Sequence, residues 1–182
     1  MAKMAGKYFT DTLLGNHFLG STAAAGVAIP ISTGTALTLG VWNTSTTKNC
    51  VPTYVAIGYT SGTIAVGEFG ILNQFVGFNV ATGAPMAAIT AGTAKNALLG
   101  SGKGSAMTFF PATATLTTGG TACYWLGPSN EVATVSPGTI GGFYHDFDGR
   151  LIATPGQVIA VCGSIAQTGL FTITLGWVEV DI

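Results

Sequence analysis

The segment LFTITLGWVEV, residues 170–180, indicates most clearly which fold this chain adopts. Four apolar side chains recur in it at every second position: Phe171, Ile173, Leu175 and Trp177. Because successive side chains of a strand point to opposite faces, this spacing predicts a β-strand that is buried on one face. Val178 and Val180 then continue the apolar set with the opposite parity. We therefore expect either a β-bulge beside Gly176 that switches the buried face, or a terminal stretch that a neighbouring subunit buries on both faces.

The same alternation elsewhere predicts further half-buried strands. Two segments each place three apolar side chains on one face: Leu37, Leu39 and Val41, and Val55, Ile57 and Tyr59. In residues 112–117, threonine alternates with alanine and leucine. The chain has 27 glycines and 7 prolines, and turn pairs such as Pro155-Gly156 separate these segments. Many short strands with frequent turns predict an all-β fold, a jelly roll or β-sandwich of short antiparallel strands.

The first 26 residues differ from the rest, because they hold few strand signals and end in the small-residue string STAAAG. We predict an extended N-terminal arm over residues 1–26 and a single jelly-roll-like β domain over residues 27–182. The arm is expected either to lie over a neighbouring copy or to be a partly ordered terminus. Residues 10–19 have a helical pattern, with Thr10 or Asp11 as N-cap, and residues 93–99 have a weaker one.

Charge is scarce in this chain. Asp, Glu, Lys and Arg make up 7% of the residues, against roughly 25% in an ordinary soluble domain. Few charges mean weak repulsion between copies, so we expect permanent contacts with identical chains or with a larger shell. The alternative is a secreted β-protein with a neutral, threonine-rich surface. The six basic residues are scattered, which argues against nucleic acid as a partner, and the apolar runs are too short for a membrane span.

The densest cluster of titratable side chains is His145-Asp146-Phe147-Asp148. One histidine and two carboxylates are too few ligands for a closed zinc site. Asp148-Gly149 is also typical of a type I′ hairpin turn, which explains Asp148 without chemistry. A weak cation site near Asp146, for instance calcium between subunits, stays open as an alternative. His17 lies alone in an apolar context, where we expect packing or capping. No catalytic, cofactor-binding or metal-ligating residue is predicted, and the chain is not expected to be an enzyme.

Two further features have structural interpretations. Residues 99–105, LGSGKGS, lack the spacing of a phosphate-binding loop, because position 97 is alanine and position 104 is glycine. This segment is predicted to be a flexible exposed loop with a solubilising Lys103. Cys50, Cys123 and Cys162 are expected to be free thiols. A Cys50–Cys123 bridge is the alternative that the sequence leaves open.

The chain between residues 147 and 180 resembles the ending of phage jelly-roll virion proteins. In that pattern a Leu-x-x-x-Pro-Gly strand entry, here with Pro155-Gly156, precedes a final strand that ends near Trp-x-Glu, here Trp177-Val-Glu179. The resemblance implies a capsid decoration, or cement, protein of jelly-roll type. Such a protein would form a homotrimer on the outer capsid surface of a bacteriophage virion and stabilise the shell by binding between subunits of the major capsid protein. The resemblance supplies no catalytic residue.

A second interpretation follows from the aromatic side chains of the predicted strands. These could provide a platform for stacking sugars, although aromatic residues in strands more often belong to a core or an interface. On this interpretation the chain is a receptor- or carbohydrate-binding head-fibre or tail component of a virion.

Overall fold

The structure, a computed structural model, describes residues 6–78, 86–112, 114–130 and 142–182. Within these residues the chain forms one short helix, α1 (Phe9–Leu13), and twelve strands. In chain order the strands are β1 (His17–Ser21), β2 (Ala36–Trp42), β3 (Lys48–Ser61), β4 (Gly67–Phe75), β5 (Met86–Ile89), β6 (Lys95–Asn96), β7 (Thr108–Phe110), β8 (Ala114–Leu116), β9 (Thr121–Asn130), β10 (Phe143–Asp146), β11 (Gln157–Gly163) and β12 (Leu170–Asp181).

The strands form two sheets. The first sheet has the order β10–β3–β12–β1–β6, and the second has the order β5–β8–β2–β11–β4–β9, with β7 also paired to β2. Strands β5 to β8 belong to residues 76–120, between β4 and β9, and we call this segment the insertion. Without the insertion the sheet orders are β10–β3–β12–β1 and β2–β11–β4–β9, which is the strand order of a jelly roll. The predicted all-β jelly-roll fold is confirmed.

The main core lies between the two sheets. It contains the inward side chains of β12 that the sequence predicted to share one face, Phe171, Ile173, Leu175 and Trp177. Trp177 is fully buried, and its ring stacks on Phe18 from β1 and on Phe109 from β7, with centroid separations of 6.1 and 6.0 Å. The insertion therefore contributes an aromatic ring to the core of the jelly roll itself.

A second core covers the outer face of the second sheet. Leu72, Ala160 and Cys162 of that face pack with Phe110 and Leu116 of the insertion. As a result β11 is buried on both faces, since its alternate side chains enter the main core and the second core. The two adjacent phenylalanines of β7 also point to different cores: Phe109 belongs to the main core and Phe110 to the second.

The predicted bulge beside Gly176 is present, but the extra residue lies in the partner strand. Gly176 pairs with Tyr54 and Trp177 pairs with Pro52, so Thr53 of β3 is the bulged residue. Proline has no backbone N–H and is found in sheets at bulges or edges, which agrees with this position. Because the extra residue lies in β3, the alternation of β12 continues unbroken, and Glu179 follows Trp177 on the inner face. The predicted switch of the buried face within β12 is therefore wrong.

The predicted common face of Leu37, Leu39 and Val41 is also wrong. Leu39 and Val41 belong to the main core, whereas Leu37 packs in the second core. The register of β2 against β11 shifts at Leu39, which adopts a positive φ of 26°. The bulge at this residue turns the preceding part of β2 over, and both faces of the strand are covered.

The structure differs from the predicted N-terminal arm over residues 1–26. Residues 17–21 form β1, which lies inside the first sheet between β12 and β6, so the jelly roll begins before residue 27. The inward side chain of Phe18 is fully buried there. The predicted helix over residues 10–19 is limited to Phe9–Leu13, and Tyr8 replaces Thr10 or Asp11 at its N-cap without a side-chain bond. Residues 93–99 contain β6 instead of a helix.

Candidate functional site

The turn at residues 147–150 is of the predicted type I′, but it does not join two paired strands of a hairpin. Asp148 and Gly149 have φ values of 55° and 71°, and the N–H of Arg150 donates to the carbonyl of Phe147 at 2.9 Å, as in a type I′ turn. The carboxylate of Asp146 accepts the N–H of Asp148 at 2.8 Å. However, β10 and β11 belong to different sheets, so the turn does not close a hairpin between them.

Residues 6–16, which we call the N-terminal segment, bind the Asp146 carboxylate. Lys7 Nζ lies 2.9 Å from Asp146 Oδ1 and also contacts the carboxylate of Asp148, and the hydroxyl of Tyr8 donates to Asp146 at 2.8 Å. Partial burial acts to raise the pKa of Asp146, but the hydrogen bonds from Lys7 and Tyr8 outweigh it and keep this pKa below its usual value. The ammonium group of Lys7 thus lies between the two carboxylates, where a bound cation would compete with it.

His145 does not join Asp146. Its ring packs between Tyr124 and Phe147, with centroid separations of 5.3 and 5.2 Å, on the inner side of β10. Its Nε2 is buried without a hydrogen-bond partner among the described residues. In the described part of the chain, no group of three or more His, Cys, Asp or Glu residues is placed to hold a metal ion.

His17 is buried on the outer side of β1, beneath the N-terminal segment. Its Nδ1 lies 3.0 Å from the hydroxyl of Thr12, and its Nε2 lies 3.1 Å from the hydroxyl of Thr53. The ring of Tyr8 lies 5.6 Å away. Burial lowers the pKa of His17, so the neutral ring is favoured. These contacts join the N-terminal segment to the bulge of β3.

Residues 99–105 form a loop that is largely exposed, as the sequence predicted, and hydrogen bonds anchor it at both ends. The N–H of Ser101 donates to the carbonyl of Leu98 at 3.0 Å and closes a tight turn. The hydroxyl of Ser105 and the N–H of Ala106 donate to the carboxylate of Glu179, at 2.6 and 2.9 Å. Glu179 is 2% exposed and was missed as a structural residue, although a carboxylate inside an apolar strand was a visible signal.

The three cysteines are free thiols in this structure. Cys50 lies in the main core and Cys162 in the second core, whereas Cys123 is on the exposed side of β9. The predicted alternative of a Cys50–Cys123 bridge is therefore not formed. Burial raises the pKa of Cys162 to about 12, so this thiol stays protonated.

Charge is concentrated at one end of the sandwich, where β1 begins and β12 ends, and we call this the termini end. Among the described residues, the charged side chains lie towards this end, except Glu68 at the start of β4. Lys95 on β6 lies in the same row of the first sheet as Asp146, through the pairs Lys95–Leu19, Leu19–Gly176, Gly176–Tyr54 and Tyr54–Asp146. The exposed large apolar side chains are concentrated at the same end: Phe9, Leu13, Leu14, Phe75, Phe78, Leu98, Leu99, Ile152, Val180 and Ile182. The termini end is thus both the charged end and the apolar end of the molecule.

No segment among the described residues covers the outer face of the first sheet as the insertion covers the second, and we call this outer face the open face. Tyr54 and Tyr144 stack on it, with ring centroids 5.5 Å apart, and Tyr144 is 62% exposed. The rest of its centre consists of Leu19 and of small or hydroxyl side chains: Ser21, Ala56, Gly58, Thr172 and Thr174. Within the described residues, the open face carries no charge between Asp146 at one edge and Lys95 at the other.

Comparisons with known proteins assign no family to this chain. The one helix among the described residues, α1, is too short to cross a membrane. The chain matches no protein-family model, no curated protein and no solved structure.

Proposed function

We propose that this chain is a virion structural protein, a capsid decoration or cement protein of a bacteriophage. It binds as a homotrimer to the outer capsid surface, between subunits of the major capsid protein, and stabilises the shell. The observation that carries the proposal is the uncharged open face. A neutral face of small side chains protects a solitary protein poorly from association. The same face can be buried against another protein without the cost of removing ions from water.

The fold and the residues of the resemblance support the same function. Jelly rolls are frequent among viral capsid proteins, although this is an analogy at the level of the fold. The residues of the phage-like ending have definite roles in the structure. Gly156 has a φ of 82° and precedes β11, Trp177 fills the main core, and Glu179 holds the insertion. The pattern is thus built into a jelly roll.

The physical mechanism is burial of neutral surface over large contacts. Each Å² of apolar surface removed from water contributes about 25 cal/mol, and stable interfaces bury about 1,200–2,000 Å² in total. Contacts of this size around each copy would join neighbouring capsid subunits and slow the opening of the shell.

The test is binding to shells of the virus whose genome encodes the chain. We expect the purified protein to sediment with undecorated shells, to saturate at a fixed number of trimers, and to raise the temperature at which shells break. Thr174→Lys places a charge on the open face and should weaken this binding at least roughly tenfold, about 1.4 kcal/mol. Thr117→Lys, at an exposed position of the insertion, is the matched control. Absence of binding by the unaltered protein would contradict the proposal.

A second candidate function is favoured by the stacked pair of Tyr54 and Tyr144. Exposed aromatic rings beside hydroxyl groups can bind the apolar faces of sugars. On this account the chain is a carbohydrate- or receptor-binding component of a head fibre or tail. Binding to a glycan array that is lost in Tyr144→Ala, without affinity for shells, would favour this function over shell stabilisation.

A further inference from the structure

Three chain segments meet at one corner of the termini end. The carbonyl of Gly15 accepts a hydrogen bond from the Asn96 side chain at 2.9 Å, and the carbonyl of Asn16 accepts the N–H of Glu179 at 2.9 Å. The residues next to these contacts carry exposed apolar side chains: Leu13 at 60%, Leu14 at 63%, Leu98 at 37%, Leu99 at 87% and Val180 at 46%. We call these five residues the leucine corner. Exposed apolar groups that are gathered in this way mark interaction sites.

Leu99 lies at the tip of a preformed turn. Gly100 has a φ of 87°, and the turn from Leu98 to Ser101 is closed by a backbone hydrogen bond, which is the geometry of a type II turn. The side chain of Asn96, itself 9% exposed, accepts the N–H of Leu98 at 2.9 Å and donates to the carbonyl of Lys103 at 3.4 Å. Because the turn is already ordered, little conformational entropy would be lost when Leu99 enters a partner.

The charges around the leucine corner indicate what the partner is. Lys48 lies 3.4 Å from Asp181, Lys103 bonds to the side chain of Asn16, and Asp11 lies on the adjoining helix. Both signs are present, so two copies could meet here without repulsion between like charges. Lys95, next to Asn96, is a third lysine here. Because Asp11, Glu179 and Asp181 balance the three lysines, an anionic partner such as nucleic acid would find no excess of positive charge.

We propose that the leucine corner is the contact between copies of this chain, with Leu99 packing against the same region of a neighbouring copy. This inference rests on the homotrimer of the proposed function. It adds the surface that holds the trimer together and leaves the open face available for the shell.

Sedimentation velocity over a range of concentrations tests the inference. Leu99→Asn should raise the dissociation constant of the oligomer at least roughly tenfold, as expected for a central apolar contact. Leu14→Asn should also raise the dissociation constant of the oligomer. Val66→Asn makes the same kind of change at a residue that is 47% exposed at the opposite end of the sandwich, and should leave association unchanged. Thermal unfolding of each variant establishes that the fold is intact.

The outcomes separate this inference from the function on which it rests. If Leu99→Asn remains a trimer and still binds shells, the inference is overturned and the proposed function stands. A Leu99→Asn trimer that has lost shell binding also overturns it, because the corner would then face the shell. An unaltered protein that is a monomer and binds shells overturns the inference together with the trimer.

Discussion

The two sheets of this jelly roll differ in how their outer faces are covered. The second sheet presents Leu72, Ala160 and Cys162 outward, and the insertion covers them with its own apolar side chains. The centre of the first sheet's outer face carries threonine, serine, alanine and glycine beside Leu19 and two stacked tyrosines, and no described segment covers it as the insertion covers the second sheet. The chain thus seals by itself the face that needs an apolar cover. We propose that a partner buries the other face, because its central side chains are mostly small and uncharged.

The largest expected effect is on the sealed face. Phe110 is fully buried in the second core, so Phe110→Ala should cost about 3–5 kcal/mol in the free energy of unfolding through lost burial and a cavity. Urea denaturation measures this loss. Phe75→Ala is the matched control, since Phe75 is 57% exposed at the termini end, and its loss should be far smaller. Equal losses in the two variants would show that the insertion is not a true cover.

A smaller loss is expected where the insertion meets the first sheet. Glu179→Ala leaves the hydroxyl of Ser105 and the N–H of Ala106 without their acceptor, which should cost about 2–3 kcal/mol of stability. Asp181→Ala, at a side chain that is 87% exposed, should change stability by less than about 0.5 kcal/mol. Denaturant unfolding of both variants checks this difference. If Glu179→Ala leaves the free energy of unfolding unchanged, the insertion is held by its apolar contacts alone.

The pH dependence of stability probes the part of the first sheet that the N-terminal segment covers. Burial lowers the pKa of His17 below the 6.5 of an unfolded chain, so the unfolded state binds more protons as the pH falls through about 6.5. Stability should therefore be full above this pH and decline below it. The pKa of Asp146 is also lowered, but from 3.8, so its contribution is lost only at more acidic pH. His17→Asn should flatten the curve between pH 7.5 and 5, and an unchanged curve would count against the assignment to His17.

The smallest effect is expected on the open face. Tyr144 is 62% exposed, and among the described aromatic rings it stacks on Tyr54 alone. Tyr144→Ala should therefore change the stability of the isolated chain by less than about 1 kcal/mol. A loss as large as that of Phe110→Ala would remove the contrast between the two faces.

Alternation in the sequence was sufficient to predict the strands and their inward faces where pairing is regular. In β12 the apolar residues from Phe171 to Trp177 all enter the main core as predicted. The prediction failed for Leu37, because the bulge at Leu39 reverses the face and a single residue with positive φ leaves no mark in the hydrophobic pattern. It also failed for residues 1–26, since β1 is short and is stabilised by pairing with β12, which lies far away in sequence.

The sequence predicted the surfaces of the molecule less well than its fold. Low charge led to the prediction that the chain associates. The concentration of charged residues at the termini end depends on which loops the topology brings together, which the sequence does not show. The path of residues 98–105 is held by the neighbouring Asn96 side chain, which bonds to Leu98 and Lys103, and by Glu179, which is distant in the sequence. Composition alone therefore suggested a flexible loop there.

We propose that this jelly roll is completed by other protein chains. Sedimentation equilibrium of the purified, unaltered protein near micromolar concentration tests it most directly. We expect a species of three times the chain mass of 18.4 kDa that persists on dilution. A single species of 18.4 kDa at every concentration, with no tendency to associate, would contradict it.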